Sequence, residues 1–190
     1  VAGASRRQRA LIPAVDSAHP RMAAACGERA VAMVWENLAP SRLLTRGSFD
    51  NATVATMALG GSTNAAVHLI ALARRARVPL TLADLDAVAR VTPVLANLYP
   101  NGDGLMDDFW FAGGLLALLS RLTDALALDA LGVNGRTLGE NLAGATVWND
   151  DVIRPLDRPV TGDPATRGAL AVLTGNLAPR GAVIKPSAAT

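Results

Sequence analysis

The sequence predicts an α/β chain in two unequal parts. A helix-rich stretch covers about residues 1–150, and a β-rich unit opens over about residues 151–190. Two observations predict this. Apolar residues recur at helical spacing behind N-cap and capping-box residues through the first part. The character changes near Val147, after which Ala169–Thr174 and Ala182–Lys185 read as strands, with Asn176–Gly181 as the turn between them.

Each element has a local justification. Residues 1–20 read as an irregular lead-in broken by Pro13 and Pro20. A helix is predicted over about 21–38, with Met22, Cys26, Val31, Val34, Trp35 and Leu38 as its apolar stripe, and Pro40 ends it. Ser48 is the predicted N-cap of a second helix running to about Leu59, and a third runs from Ala65 to about Ala76. The third is apolar on nearly every side before Arg74, which predicts a buried helix. Thr81-Leu-Ala-Asp84 and Thr137-Leu-Gly-Glu140 are capping-box starts for short helices to about Arg90 and Ala143. Thr92–Leu98 reads as a short strand or an extended segment, Val152–Leu156 as extended, and Tyr99–Gly104 as a turn cluster. The stretch from Leu105 to Leu131 reads as helical, with Gly113-Gly114 inside it. Two strands cannot bury a sheet face alone. The β unit is therefore expected to be incomplete, as in a fragment or in a chain whose partner supplies further strands.

Composition excludes several function classes. Of 190 residues, 51% are hydrophobic and 18% charged, which suits a packed core rather than disorder. The net charge is only +2, and the arginines are scattered apart from Arg6, Arg7, Arg9 and the pair Arg74, Arg75, so no nucleic-acid surface is expected. Aromatics at 4% leave little for stacking on bases. No apolar run approaches the roughly 18 residues of a membrane span. No signal-peptide pattern is visible, so a cytoplasmic location is expected.

The stretch most suggestive of chemistry is Leu59-Gly60-Gly61-Ser62-Thr63-Asn64, placed directly before an apolar helix. Glycines permit a tight turn and close approach. Ser62, Thr63 and Asn64 are cap-forming types at a helix start, which carries unpaired N–H groups and suits a carboxylate or phosphate. Two readings stand: ordinary loop-to-helix punctuation, or the seat of a small anion. Asp107-Asp108 is an acidic pair at a helix start, where favourable interaction with the helix dipole competes with a role in metal binding or acid–base work. Cys26, the only cysteine, reads as a small packed residue, and one thiol cannot hold a cluster. His68 reads as a core histidine, His19 lies in a loop, and no His/Cys/Asp/Glu group has metal-ligand spacing.

Several motifs occur together in order: Ile12-Pro-Ala-Val-Asp16, Leu59–Ala65, Val91-Thr-Pro-Val-Leu-Ala96, Leu105-Met-Asp-Asp-Phe109 with Ala112-Gly-Gly114, Gly135–Asn141, Val152-Ile-Arg-Pro-Leu156 and Gly175-Asn-Leu-Ala-Pro179. From about Ile12 to the end, the chain resembles the dihydroxy-acid dehydratase/phosphogluconate dehydratase family. Ala145–Leu156 and Ile184-Lys-Pro-Ser-Ala188 look more like the sugar-acid (aldonate, arabinonate-type) dehydratases within it.

The resemblance implies an α/β enzyme. Residues 1–150 would form the helix-rich latter half of its N-terminal domain, and 151–190 the first strands of a β-barrel-like C-terminal domain. It implies a hydro-lyase that converts a 2,3-dihydroxy acid or aldonate to a 2-keto acid. The complete enzyme would depend on an iron–sulfur cluster held by three cysteines and on Mg²⁺ held by carboxylates and a carbamylated lysine, with a serine alkoxide as base. It also implies a small hydroxy-acid substrate and a homo-oligomer, dimer or tetramer. None of this apparatus maps onto the chain. The cysteine motifs belong upstream of Ile12 and the base downstream of Thr190, and Lys185, the sole lysine, matches no metal-lysine motif. No cofactor is expected to bind this stretch alone. What remains is the substrate side: Ser62, Thr63 and Asn64 as pocket floor, Gly60 and Gly61 as its loop, and Asp108 as a further wall residue. The alternatives are a dihydroxy-acid dehydratase of branched-chain amino-acid biosynthesis, or a noncatalytic truncated structural or interaction module.

Overall fold

A computed structural model describes residues 12–160 and 169–188. The lead-in expected over 1–20 therefore lies largely outside the described residues, as do Arg6, Arg7 and Arg9. The described chain is helix-rich with one two-stranded antiparallel sheet. In chain order the elements are α1 (Ala18–Trp35), α2 (Pro40–Leu43), α3 (Arg46–Ala58), α4 (Thr63–Arg75), α5 (Leu82–Val91), α6 (Met106–Phe111), α7 (Gly114–Ser120), α8 (Leu138–Leu142), β1 (Ala171–Gly175) and β2 (Ala178–Ile184).

Helix starts follow their local chemistry. Thr81 Oγ1 accepts from the Asp84 amide while Asp84 returns a bond to the Thr81 amide, and Thr137 and Glu140 do the same at α8. At α3 the cap is Thr45, three residues before the expected Ser48. Thr45 accepts from the Ser48 amide, and the Ser48 hydroxyl donates instead to the Leu43 carbonyl.

The expected long helix from Leu105 onward is divided. Gly113 adopts φ 118°, and a Cβ there would lie 2.5 Å from the Thr146 carbonyl oxygen, so the chain breaks between α6 and α7 where another backbone presses in. Helix α7 ends at Ser120, and only a short 3-10 turn (Thr123–Ala125) follows.

The core forms around an extended segment rather than a sheet. Val94, Leu95 and Ala96 are buried; Leu95 and Ala96 pack with Ala58 of α3, Phe109 of α6, Leu118 of α7 and Ile153, and Val94 packs with Phe49 and Met57 of α3. The Leu95 and Ala96 amides both donate to the Ala58 carbonyl, and the Asn97 amide donates to Val152 O. Ala96 and Ile153 form an isolated antiparallel bridge. A second cluster joins Phe49 and Met57 of α3, Ala66 and Ala73 of α4, Leu85 of α5, and Ala169–Leu170 at the approach to β1.

β1 and β2 pair with Ala171 opposite Ile184 and Leu173 opposite Ala182. The turn is tighter than the expected Asn176–Gly181, because pairing already begins again at Ala178. The hairpin is covered on one side by α5, where Asp86 accepts from the Val172 amide (3.3 Å) and Val183 joins the second cluster.

Three burial expectations are corrected. No residue of α1 is buried among the described residues. Val34 and Trp35 stand 75% and 85% exposed, and Cys26 is exposed with its Sγ beside Met22 Sδ, so of the predicted stripe only Leu38, beyond the end of α1, is a core residue. Helix α4 buries Ala66 and Ala73 but exposes Val67 and Leu72. His68 shares the exposed side and is not a core histidine. Apolar sequence lets a face be buried, but only a packed neighbour buries it.

Asn51 ties α3 to the chain after the 3-10 turn. Its amide donates to Ala127 O (2.9 Å) and accepts from Ala127 N (2.8 Å). Asn51→Ala strips both partners from a part-buried backbone unit and is expected to lower unfolding free energy by about 2–3 kcal/mol in urea titration; a loss below about 0.5 kcal/mol would contradict this. The Asp84 carboxyl is held down from 3.8 to about 2 by the Thr81 hydroxyl, then by the Arg46 guanidinium and the Thr81 amide. A carboxyl lowered by folding stabilises at pH above its unfolded value, and that contribution fades as pH falls through the folded value. Asp84→Asn is therefore expected to flatten the stability–pH curve between about pH 4 and 2, measured by urea melts at stepped pH. Parallel curves for both proteins would count against the assignment.

Candidate functional site

The Leu59–Asn64 turn is built from the end of one helix and the start of the next. At the end of α3 the Gly61 amide donates to Thr56 O and the Gly60 amide to Met57 O, with Gly60 at φ 103°. This double closure at a left-handed residue is the Schellman helix ending, which favours glycine. Gly61, at φ 71°, turns the chain again. Ser62 is then extended, and its Oγ accepts from the Ala65 amide (3.3 Å) as the N-cap of α4.

Both glycines are also required by close approach. A Cβ on Gly61 would lie 2.8 Å from Ala169 Cβ and 2.9 Å from Leu170 Cγ, and one on Gly60 would run into the Asn101 amide. Asn101 Nδ2 donates to Gly60 O (3.1 Å), and Lys185 Nζ donates to Gly61 O (3.2 Å). Burial lowers the Lys185 ammonium from its ordinary value. The turn is thus gripped from the 99–104 loop and from the end of β2.

Thr63 and Asn64 stand exposed in the first turn of α4, where amide groups precede the helix's own bonding pattern. With the ammonium of Lys185 on the adjoining carbonyl, this end of the helix carries positive potential, as a carboxylate or phosphate requires.

Asp108 is placed differently. Its Oδ2 accepts from the Leu105 amide (2.8 Å) at the start of α6, so the carboxylate serves that helix end. Asp107 is exposed beside it. Among the described residues no hydrogen bond joins Asp108 to the Gly60–Asn64 turn. A concavity of about 310 Å³ lies elsewhere, lined by Arg42, Thr45, Gly47 and Asp129 among others, and includes none of the sequence-predicted site residues.

The residues do not fit an iron–sulfur or divalent-metal centre. Among the described residues no three His, Cys, Asp or Glu side chains gather as a ligand set. Cys26 is alone on exposed α1, whereas a cluster needs several thiolates. Nor is any helix among the described residues long and apolar enough to cross a membrane. The sequence reading passed over Lys185 and Asn101 as parts of the turn. The signal present was that Lys185 is the sole lysine of the chain; its contact with Gly61 spans 124 positions, beyond the reach of local spacing.

With this geometry in view, the chain belongs to the dihydroxy-acid/6-phosphogluconate dehydratase family, matching its N-terminal domain over residues 1–141. It is 51% identical over 179 residues to 6-deoxy-6-sulfo-D-gluconate dehydratase of Pseudomonas putida, covering 94% of this chain and 31% of that protein. It is 48% identical over 191 residues to L-arabonate dehydratase of Azospirillum brasilense, covering 99% and 32%. A dihydroxy-acid dehydratase of Methanosarcina barkeri is 44% identical over 179 residues, covering 92% and 32%. The chain thus spans about a third of the length of the curated relatives it matches.

The local geometry predicts opposite signs for two kinds of glycine. Gly60→Ala and Gly61→Ala place a Cβ at positive φ against packed neighbours and are expected to cost about 1–3 kcal/mol each. Gly27→Ala, in open space within α1, is expected to stabilise by about 0.5–1 kcal/mol. Thermal melts of the three variants read this directly, and equal shifts for Gly61 and Gly27 would refute it.

Proposed function

We propose that this chain forms part of a hydro-lyase that dehydrates a sugar acid (aldonate) to a 2-keto acid. The observation that carries the reading is the order of likeness within the family: 45–51% identity to dehydratases named for sugar acids, against 42–45% for those named for dihydroxy acids. Residues 1–150 would be helix-rich N-terminal domain, and 151–190 the opening of a β-barrel-like C-terminal domain. The family match ending at 141 and the lone hairpin after Ala169 both support that division. The iron–sulfur cluster and Mg²⁺ of the resemblance would be held by residues outside this stretch. A homo-oligomer is part of the same proposal.

This chain's part in the reaction is substrate binding. An aldonate presents a carboxylate beside the C2 carbon that loses its proton. The first turn of α4 offers amide groups, the Thr63 hydroxyl and the Asn64 amide to such a carboxylate, in a turn whose two glycine carbonyls are held by Asn101 and Lys185. Holding the carboxylate fixes C2 and C3 for proton loss and departure of the C3 hydroxyl. Ser62 is spent on capping and supports the turn, while the Asp108 carboxylate is spent on the start of α6.

In the full-length dehydratase carrying this sequence, Thr63→Val is expected to lower kcat/KM for the aldonate by about tenfold, the loss of one charge-assisted hydrogen bond. A change under about threefold with unchanged melting temperature would remove Thr63 from the site. Assay against several aldonates and a dihydroxy acid separates the sugar-acid reading from the branched-chain one.

A further inference from the structure

Two carbonyls of the Gly60–Gly61 turn are gripped by side chains that trace back to one short segment. Lys185 follows β2 directly and donates to Gly61 O at 3.2 Å. Two residues on, the Ser187 hydroxyl donates to Asn101 Oδ1 at 2.5 Å. That bond orients the Asn101 amide, leaving its Nδ2 to donate to Gly60 O at 3.1 Å. The same turn is closed sterically by Ala169 and Leu170, which lead into β1. The β hairpin and its exit therefore hold the α3–α4 turn at three places.

We propose that Lys185 and Ser187 are positioning residues, which set the first turn of α4 for substrate by fixing the Gly61 carbonyl directly and the Gly60 carbonyl through Asn101. The proposal rests on the reading of that turn as the carboxylate site. The chemistry suits the task. A single carbonyl oxygen is a point acceptor, and a compact ammonium on a flexible stem meets it with one donor while its charge remains close to the helix start. The other seventeen cations of the chain are arginines; five of them pair with carboxylates among the described residues, and Arg29 and Arg46 also donate to the Val133 and Pro79 carbonyls. The two grips also differ in kind. Lys185 brings charge and Ser187 brings only orientation, so their removal should differ in size.

The test uses the full-length enzyme and four variants. Lys185→Met keeps the stem and removes the donor and charge. It is expected to raise KM about tenfold with kcat within about twofold, and to speed amide exchange in a peptide spanning residues 60–66. Lys185→Arg is expected to bring KM back to within about threefold of wild type, and Ser187→Ala to raise KM about threefold. Because Lys185 acts through the turn, Lys185→Met combined with Thr63→Val should be less than additive in KM. A merely structural tie would shift the melting temperature and leave the KM–kcat split and the cycle unmoved. Full effect of Thr63→Val with no effect of Lys185→Met, or strict additivity, overturns the positioning role and leaves the proposed function standing. No effect of Thr63→Val fails the carboxylate reading itself and this inference with it. Should Lys185→Met not fold, Ser187→Ala and Lys185→Arg carry the decision: wild-type KM and exchange in Ser187→Ala overturn the proposal.

Discussion

The fold depends on a stretch of extended chain, Val94–Leu98, held in the core without a sheet around it. Buried backbone groups need partners, and an isolated strand must find them irregularly. Here the Leu95 and Ala96 amides share the Ala58 carbonyl, Leu95 O accepts from Arg154 N, Val94 O from Val160 N, and Asn97 N donates to Val152 O. The segment is thus bonded to the end of α3 on one side and to residues 152–160 on the other. Helices α3, α6 and α7 then pack their apolar residues against Leu95, Ala96 and Ile153.

The candidate site inherits its position from that constraint. Ala58, whose carbonyl the segment occupies, is the last residue of α3, and the Gly60–Gly61 turn follows at once. Asn101, which grips Gly60 O, lies just beyond the far end of the same segment. The turn is therefore referenced to the core at both ends, and the hairpin exit adds Lys185 from a third direction. In the proposed carboxylate site, rigidity would matter because a carboxylate held in one orientation aligns the carbons beside it.

How much of this was legible in the sequence follows from interaction range. The Thr81–Asp84 and Thr137–Glu140 boxes are closed within three residues, and their letters sufficed. The Gly60-Gly61 signal was equally local, since a Schellman ending needs glycine at the left-handed position. The break at Gly113 was missed because its cause, the Thr146 carbonyl, sits more than thirty positions away. The cap at Thr45 was misplaced to Ser48 because both are good cap types and only the actual bond chooses. The burial of α1 and α4 was overstated because periodicity names a face without naming what lies against it.

By itself the sequence determined the capping boxes of α5 and α8, the glycine ending of α3, the α/β character and, through seven motifs in order, the family. Those depend on contacts of a few residues or on the letters alone. The tertiary structure alone decided which apolar faces are covered, where the long helix breaks, and that Lys185 reaches Gly61 across 124 positions. Those depend on chain closure, in which packing in the core sets which distant groups come within hydrogen-bond reach.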